Sequence, residues 1–349
     1  MPSTSTRPAT TQGPDGRFRN TVPRSAGALA PDAKVMWDFF FNKPANSEPI
    51  ASVPVHPITR AMLEEAPDGS LYRLGHSTIL LKLRGGWWIT DPVFCERASP
   101  VQFAGPRRFH APPIAIDELP PLDGVILSHD HYDHLDYRAV RQLAGKSKVF
   151  LTTLGVGDRL IGWGVPADKV LQHGWWQDVE INGLRFTATP AQHFSGRGLR
   201  DGNRTLWASW VIEDGDQRIF FSGDSGYFPG FAEIGKHFGP FDLTLMETGA
   251  YNEHWPYVHM HPEQTIQAHQ DLLGRWLLPI HNGTFNLSMH PWWDPFERIV
   301  QLGRERAVPV ATPMMGELFS LQAPHTGSRW WQDMMVAQDA APDVALARY

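Results

Sequence analysis

Residues 128–136 read SHDHYDHLD, and within them His129, His131, Asp133 and His134 form the pattern His-x-His-x-Asp-His. With this chain's composition, chance would produce that pattern on the order of 0.002 times, so it is a functional signal. The residues before it, 124–127 (GVIL), read as a short buried strand. Residues 137–144, with Asp136 as N-cap and Gly145 as stop, read as a helix. The cluster therefore lies on the loop leaving the C-terminal end of a strand, where open sheets place their sites. On an extended loop alternate side chains point the same way, so His129 and His131 can grip one ion while Asp133 and His134, past the bend, face a second.

Four groups cannot close two sites, because each ion needs at least three protein ligands plus a water. Three more candidates stand after apolar or β-branched runs: His193 in TPAQHF, Asp224 in FFSGDSGY and His281 in LPIHNGTF. A donor set of nitrogen and oxygen suits zinc but also manganese or iron, since no thiolate is present to select zinc. Cys95, the one cysteine, lies outside the ligand pattern and excludes an internal disulfide. Two divalent ions ~3.5–4 Å apart share a water and lower its pKa, which makes a bridging hydroxide the nucleophile rather than a side chain. No Gly-x-Ser-x-Gly elbow competes with that reading.

Working outward, strands are expected over residues 71–83 and 87–90 around Arg84-Gly85-Gly86, over 148–152, over 180–189 with a turn at Asn182-Gly183, and over 209–213 and 218–221. Helices are expected over 231–237, 262–273 and 295–304, the last two opened by proline. Hairpins mixed with crossover helices imply layers of sheet and helix. The 349 residues are 42% hydrophobic, which excludes a disordered chain, and only 19% charged with 30 prolines, which argues against a helix bundle. A net charge of -6 argues against nucleic acid as a partner. Neither a secretory signal nor an apolar run of the ~18 residues that a span requires is present, so the expected location is the cytoplasm. The aromatic stretch 35–41 (VMWDFFF), with Trp37, is expected to dock on the domain or to touch the inner face of the membrane peripherally.

The chain resembles the metallo-β-lactamase superfamily, whose order of an early Asp, His-x-His-x-Asp-His, His, Asp and His is matched by Asp91 in ITDP, the 129–134 cluster, His193, Asp224 and His281. Within it the chain resembles the N-acylphosphatidylethanolamine-hydrolysing phospholipase D branch, through GHSTILL, TDPVF, SHDHYDHLDY, PAQHF, LWASW, GDSGYFPGF, EIGKHFGPFDL, GAY and HNGTF, over roughly residues 71–319. The resemblance implies an α/β fold, an αββα sandwich of two mixed β-sheets flanked by helices. The implied layout is a Pro-rich N-terminal extension packing on the core (1–66), a catalytic domain (67–322) and a C-terminal tail (323–349).

Carried over, the resemblance implies two zinc ions per chain, one held by His129, His131 and His193, the other by Asp133, His134 and His281, with Asp224 bridging. Asp91 and His76 would stand behind these ligands, His76 beneath the Asp91 loop. Asp133, Asp224 and His259 are the expected catalytic residues, His259 for phosphate binding or leaving-group protonation. Tyr132, Gln192 and Arg197 are expected to touch substrate. Trp292 and Trp293, in a Pro-bounded loop, are expected as exposed indoles lining an apolar groove or meeting lipid. The implied activity is that of a metal-dependent phosphodiesterase acting on a small-molecule or phospholipid substrate, in a homodimer. A lactonase resembling L-ascorbate-6-phosphate lactonase and a non-catalytic metal-bound binding module are the alternatives.

Overall fold

The computed structural model describes residues 10–23 and 33–340. Residues 1–9, 24–32 and 341–349, which fall in the expected extension and tail, lie outside the described residues. A small hairpin, β1 (Thr11–Gln12) and β2 (Phe18–Arg19), and two helices, α1 (Ala33–Phe41) and α2 (Arg60–Glu65), come first. There follow β3 (Ser70–Gly75), β4 (Thr78–Leu83), β5 (Gly86–Thr90), β6 (Leu122–Ile126), α3 (Tyr137–Leu143), β7 (Ser147–Thr153), α4 (Val156–Gly162) and β8 (Val170–His173). The second half contains β9 (Asp178–Ile181), β10 (Leu184–Thr189), β11 (Ser209–Asp214), β12 (Gln217–Phe221), α5 (Gly230–Phe238), β13 (Phe241–Glu247), α6 (Pro262–Asp271) and β14 (Gly274–Ile280). It closes with α7 (Asp294–Glu305), β15 (Leu318–Ser320) and α8 (Gln332–Asp339).

Two mixed sheets result, in strand order β15-β3-β4-β5-β6-β7-β8 and β14-β13-β12-β11-β10-β9. Their central strands bury apolar side chains on both faces, as strands must when both faces are covered. In β4 and β5, Ile79, Leu81 and Trp88 point into the space between the sheets, whereas Leu80 and Ile89 point outward under α3 and α4. In β11 and β12, Trp210, Ile212, Ile219 and Phe221 point inward, and Val211 and Phe220 point outward under α5, α6 and α7. This is the expected αββα sandwich. Each fully buried aliphatic or Phe side chain contributes ~1.5–3 kcal/mol, so three apolar layers leave little freedom in how the two sheets stack. Trp210 also ties them by donating its indole N–H to Leu127 O at 3.0 Å.

Two expectations are corrected. Residues 71–83 form two strands rather than one, because Gly75 (φ 138°) and His76 (φ 49°) turn the chain in left-handed backbone that a strand cannot accommodate. That turn carries His76 to the site. Trp292 and Trp293 are not exposed: their relative exposures are 3% and 8%, and they pack with Val53, Phe296, Trp330 and Trp331 in a cluster of their own. The covering surface is the segment after residue 323, and Trp292 Nε1 donates to Gln338 Oε1 at 3.0 Å. Among the described residues no helix is long and apolar enough to cross a membrane.

Candidate metal centre

Every candidate ligand stands at or just beyond the C-terminal end of a strand, and the two sheets bring these ends to one edge. β6 leads to the 129–134 loop, β10 to His193, β12 to Asp224, β14 to His281 and β5 to Asp91. Two glycines permit the crowding. A Cβ on Gly223, whose φ is 54°, would lie 2.5 Å from Ser128 Cβ, and one on Gly249 would lie 1.7 Å from His281 O. Asp91 (φ 33°), His76 (φ 49°) and His281 (φ 65°) occupy the left-handed region, conformational strain of the kind that accumulates at functional sites.

The side chains form two groups whose donor atoms lie within 4.8 Å of one another: His129, His131, His193 and Asp224, and His76, Asp133, His134 and His281. In the first, His129 Nε2 and His193 Nε2 lie 2.9 and 3.3 Å from His131 Nδ1. Nitrogens bound to one tetrahedral zinc at ~2.0–2.1 Å stand roughly 3.3 Å apart, so this spacing suits a shared ion. Asp224 lies between the groups. Its Oδ1 is 3.0 Å from His134 Nε2, and its Oδ2 is 3.1 Å from His281 Nε2, 3.6 Å from His193 Nε2 and 3.7 Å from His129 Nε2. His134 Nε2 and Asp224 Oδ1 are buried atoms without a hydrogen-bond partner. Orphaned donor atoms of this kind are costly unless something binds them, and together with the nitrogen and oxygen donors they fit a divalent pair.

Buried partners aim the ligands. Asp91 Oδ2 receives His134 Nδ1–H at 2.7 Å and the Ser128 hydroxyl at 2.5 Å, and that hydroxyl is 2.9 Å from His129 Nδ1. One carboxylate thus orients a histidine of each group. His193 Nδ1 donates to Val258 O at 3.0 Å, which turns its Nε2 to the site. His76 leads into a turn that is bonded to the Asp91 loop through Thr78, and its Nε2 is 3.0 Å from Asp133 Oδ2. Partners of this kind typically contribute 10–100-fold in metal affinity. His76→Ala is expected to weaken the ion held by Asp133, His134 and His281 by about that factor while sparing the other, read as loss of one equivalent of metal on dialysis. Loss of both or neither would refute the assignment.

The charges follow from burial and proximity. Burial disfavours a charged His134 and His281, but Asp224 and Asp133 outweigh it, raising His134 well above its ordinary value and His281 to about 10. Burial alone would raise Asp133 and Asp224, yet the neighbouring imidazoles hold both well below the usual carboxylate range. Away from the ligands, His110 is pushed down to about 3, by burial first and then by Arg108. An unfolded histidine takes its proton near pH ~6.5, so a histidine lowered in the fold stabilises it above that pH and loses the contribution as the pH falls towards 3. His76, also lowered to about 3 chiefly by burial, acts with the same sign. His134 and His281, raised in the fold, act with the opposite sign only above pH ~6.5, so the chelated protein is expected to melt lower at pH 5 than at pH 6.5; an unchanged melting temperature would contradict this.

The expected substrate contacts are engaged within the protein. Arg197 Nη1 donates to Asp130 O and Leu135 O, and its guanidinium lies 3.8 Å from the Tyr132 ring centre. Tyr132 OH donates to Arg197 O, and buried Gln192 donates to Val22 O. These three side chains hold the 194–204 loop and the N-terminal hairpin against the ligand loop. Trp292 and Trp293 are buried, as described. His259 is half-buried, with its ring centre 5.3 Å from that of His193 and 5.1 Å from that of His281. Glu247, the last residue of β13, was missed by the sequence reading although it is fully buried and its Oε1 is 2.9 Å from His259 Nδ1. The available signal was an acidic residue closing an apolar strand, in LTLME.

Comparison with known proteins agrees with this geometry. Residues 86–282 match the Beta-lactamase superfamily domain. An uncharacterised protein of Mycobacterium tuberculosis is 40% identical over 91% of this chain and 86% of its own. An N-acyl-phosphatidylethanolamine-hydrolyzing phospholipase D of Caenorhabditis elegans is 34% identical over 75% and 77%. Among solved structures, a metallo hydrolase of Ignicoccus hospitalis superposes with a TM-score of 0.54 at 20% identity, over 71% of this chain and 96% of that one, a likeness of fold.

Proposed function

The chain belongs to the β-lactamase superfamily, in which it is a metallo-hydrolase related to N-acyl-phosphatidylethanolamine-hydrolysing phospholipase D, and we propose that it is a dinuclear zinc phosphodiesterase of that type. The observation that carries this reading is the buried Asp224 carboxylate, whose oxygens lie 3.0 and 3.1 Å from His134 and His281 of one group and 3.6 and 3.7 Å from His193 and His129 of the other. A divalent pair there would supply an acidified water as nucleophile and neutralise charge developing on a phosphoryl oxygen. The protein's own part is orientation: Asp91 aims His134 and, through Ser128, His129, and Val258 O aims His193. The exposed side chains of Phe194, Leu199 and Tyr257, on loops bearing His193 and His259, favour a substrate with hydrocarbon next to its phosphate.

The test is incubation of the metal-loaded protein with N-acyl phosphatidylethanolamine, bis(p-nitrophenyl) phosphate and a sugar-phosphate lactone. Release of phosphatidate from the first supports the reading, and hydrolysis of the lactone alone rejects it.

A further inference from the structure

Glu247 is fully buried at the end of β13, and no Lys or Arg among the described residues forms an ion pair with it. Its backbone is clamped from two sides: its N–H donates to Ser222 Oγ at 2.9 Å, and its carbonyl accepts from Thr265 Oγ1 at 3.0 Å. The side chain is held as firmly. Oε2 accepts the Met260 N–H and Oε1 accepts His259 Nδ1–H, each at 2.9 Å. Oε1 is also 4.0 Å from Nδ1 of His281, a nitrogen with no hydrogen-bond partner of its own. A buried carboxylate is costly to maintain unless its charge is used, and here it faces two imidazoles of the metal centre.

We propose that Glu247 is the positioning residue of His259, an inference that rests on the phosphodiesterase reading. A carboxylate on Nδ1–H fixes the tautomer and orientation of an imidazole and stabilises its protonated form. With Nδ1 so engaged, Nε2 is the nitrogen of His259 left for the site, where the residue stands with Asp224 and His281. As the water-derived oxygen bonds to phosphorus, the bond from phosphorus to the head-group oxygen breaks and its electron pair stays on that oxygen. The proton for that oxygen passes through Nε2 of His259, which solvent resupplies, leaving a free alcohol. Glu247 does not touch the substrate.

Glu247→Leu tests the assignment, because it keeps the bulk and removes the acceptor. Protonation by a placed acid contributes about 10²–10⁴-fold, and only where the leaving group needs the proton. The expected result is a fall in kcat of roughly 10²-fold for N-acyl phosphatidylethanolamine, whose leaving alcohol is a poor one, with KM unchanged. The fall for bis(p-nitrophenyl) phosphate, whose phenolate leaves without a proton, should be at least about tenfold smaller. Glu247→Gln, whose amide oxygen can accept the same proton, should recover most of the loss. Equal losses on both substrates, or no recovery by the glutamine variant, would overturn the proposal.

An independent readout is the ring ¹⁵N spectrum of His259, assigned by its absence in His259→Asn. The Nδ1-protonated tautomer of the parent protein should be kept in Glu247→Gln and lost in Glu247→Leu, and the same tautomer in all three would refute the proposal. If Glu247→Leu fails to fold, the parent spectrum and Glu247→Gln decide. If the parent turns over neither phosphodiester, the phosphodiesterase reading falls and the spectra alone decide the pairing of Glu247 with His259.

Discussion

Asp224→Ala removes turnover: kcat/KM for bis(p-nitrophenyl) phosphate is expected to fall by at least ~10³-fold, which is about 4 kcal/mol of transition-state stabilisation. The size follows from geometry. Asp224 reaches both groups of donors: its oxygens lie 3.0 Å from His134 Nε2 and 3.1 Å from His281 Nε2 in the second, and its Oδ2 lies 3.6 Å from His193 Nε2 and 3.7 Å from His129 Nε2 in the first. Three imidazoles remain around the first position and four donors around the second, so single ions can still bind, but nothing links them at a fixed separation. His131→Ala, which takes out the nitrogen at the centre of the first group, is expected to have a comparable effect through loss of one equivalent of metal. Kinetics alongside metal analysis of the purified variants check both. Unchanged turnover by metal-loaded Asp224→Ala would sink the dinuclear mechanism.

The largest effect on stability is expected far from the metals, at Trp331. Its side chain is fully buried, stacks on Phe296 with ring centres 4.9 Å apart, and donates its indole N–H to Glu297 Oε1 at 2.5 Å. With Trp330 it covers Trp292 and Trp293 and reaches Val53, joining segments from both ends of the chain to the start of α7. Trp331→Ala leaves a large cavity and takes one donor from Glu297, which keeps Arg329 and Gln332, and truncations of this kind cost about 3–5 kcal/mol. In a domain of this size that is a fall in melting temperature on the order of 10 °C, with both metal equivalents retained. A loss of under ~1 kcal/mol in urea unfolding would show that the cluster adds little.

The candidate donors were legible because each stands out by type and by place, an imidazole or carboxylate just after an apolar strand. The five histidines His129, His131, His134, His193 and His281 lie in the two groups read from spacing and resemblance, and Asp91 stands behind His134. Layers of sheet and helix were legible from the alternation of hairpins and crossover helices, while the two-sheet sandwich itself came from the resemblance. The hold of Arg197 on the ligand loop was harder to read, since the carbonyls it bonds, Asp130 O and Leu135 O, belong to another segment of the chain.

By itself the sequence determined the candidate donors and their order along the chain, because these depend on residue type and on position within one strand or loop, and its resemblance to a known family implied the αββα architecture that carries them to one edge. Only the tertiary structure decided which buried groups aim those donors and which aromatic side chains are covered. Glu247 and His259 are 12 residues apart, His76 and Asp133 are 57 apart, and Trp292 and Gln338 are 46 apart. Such pairs are brought together by how the sheets stack and where the C-terminal segment folds back, and no local pattern encodes a partner that arrives from another element.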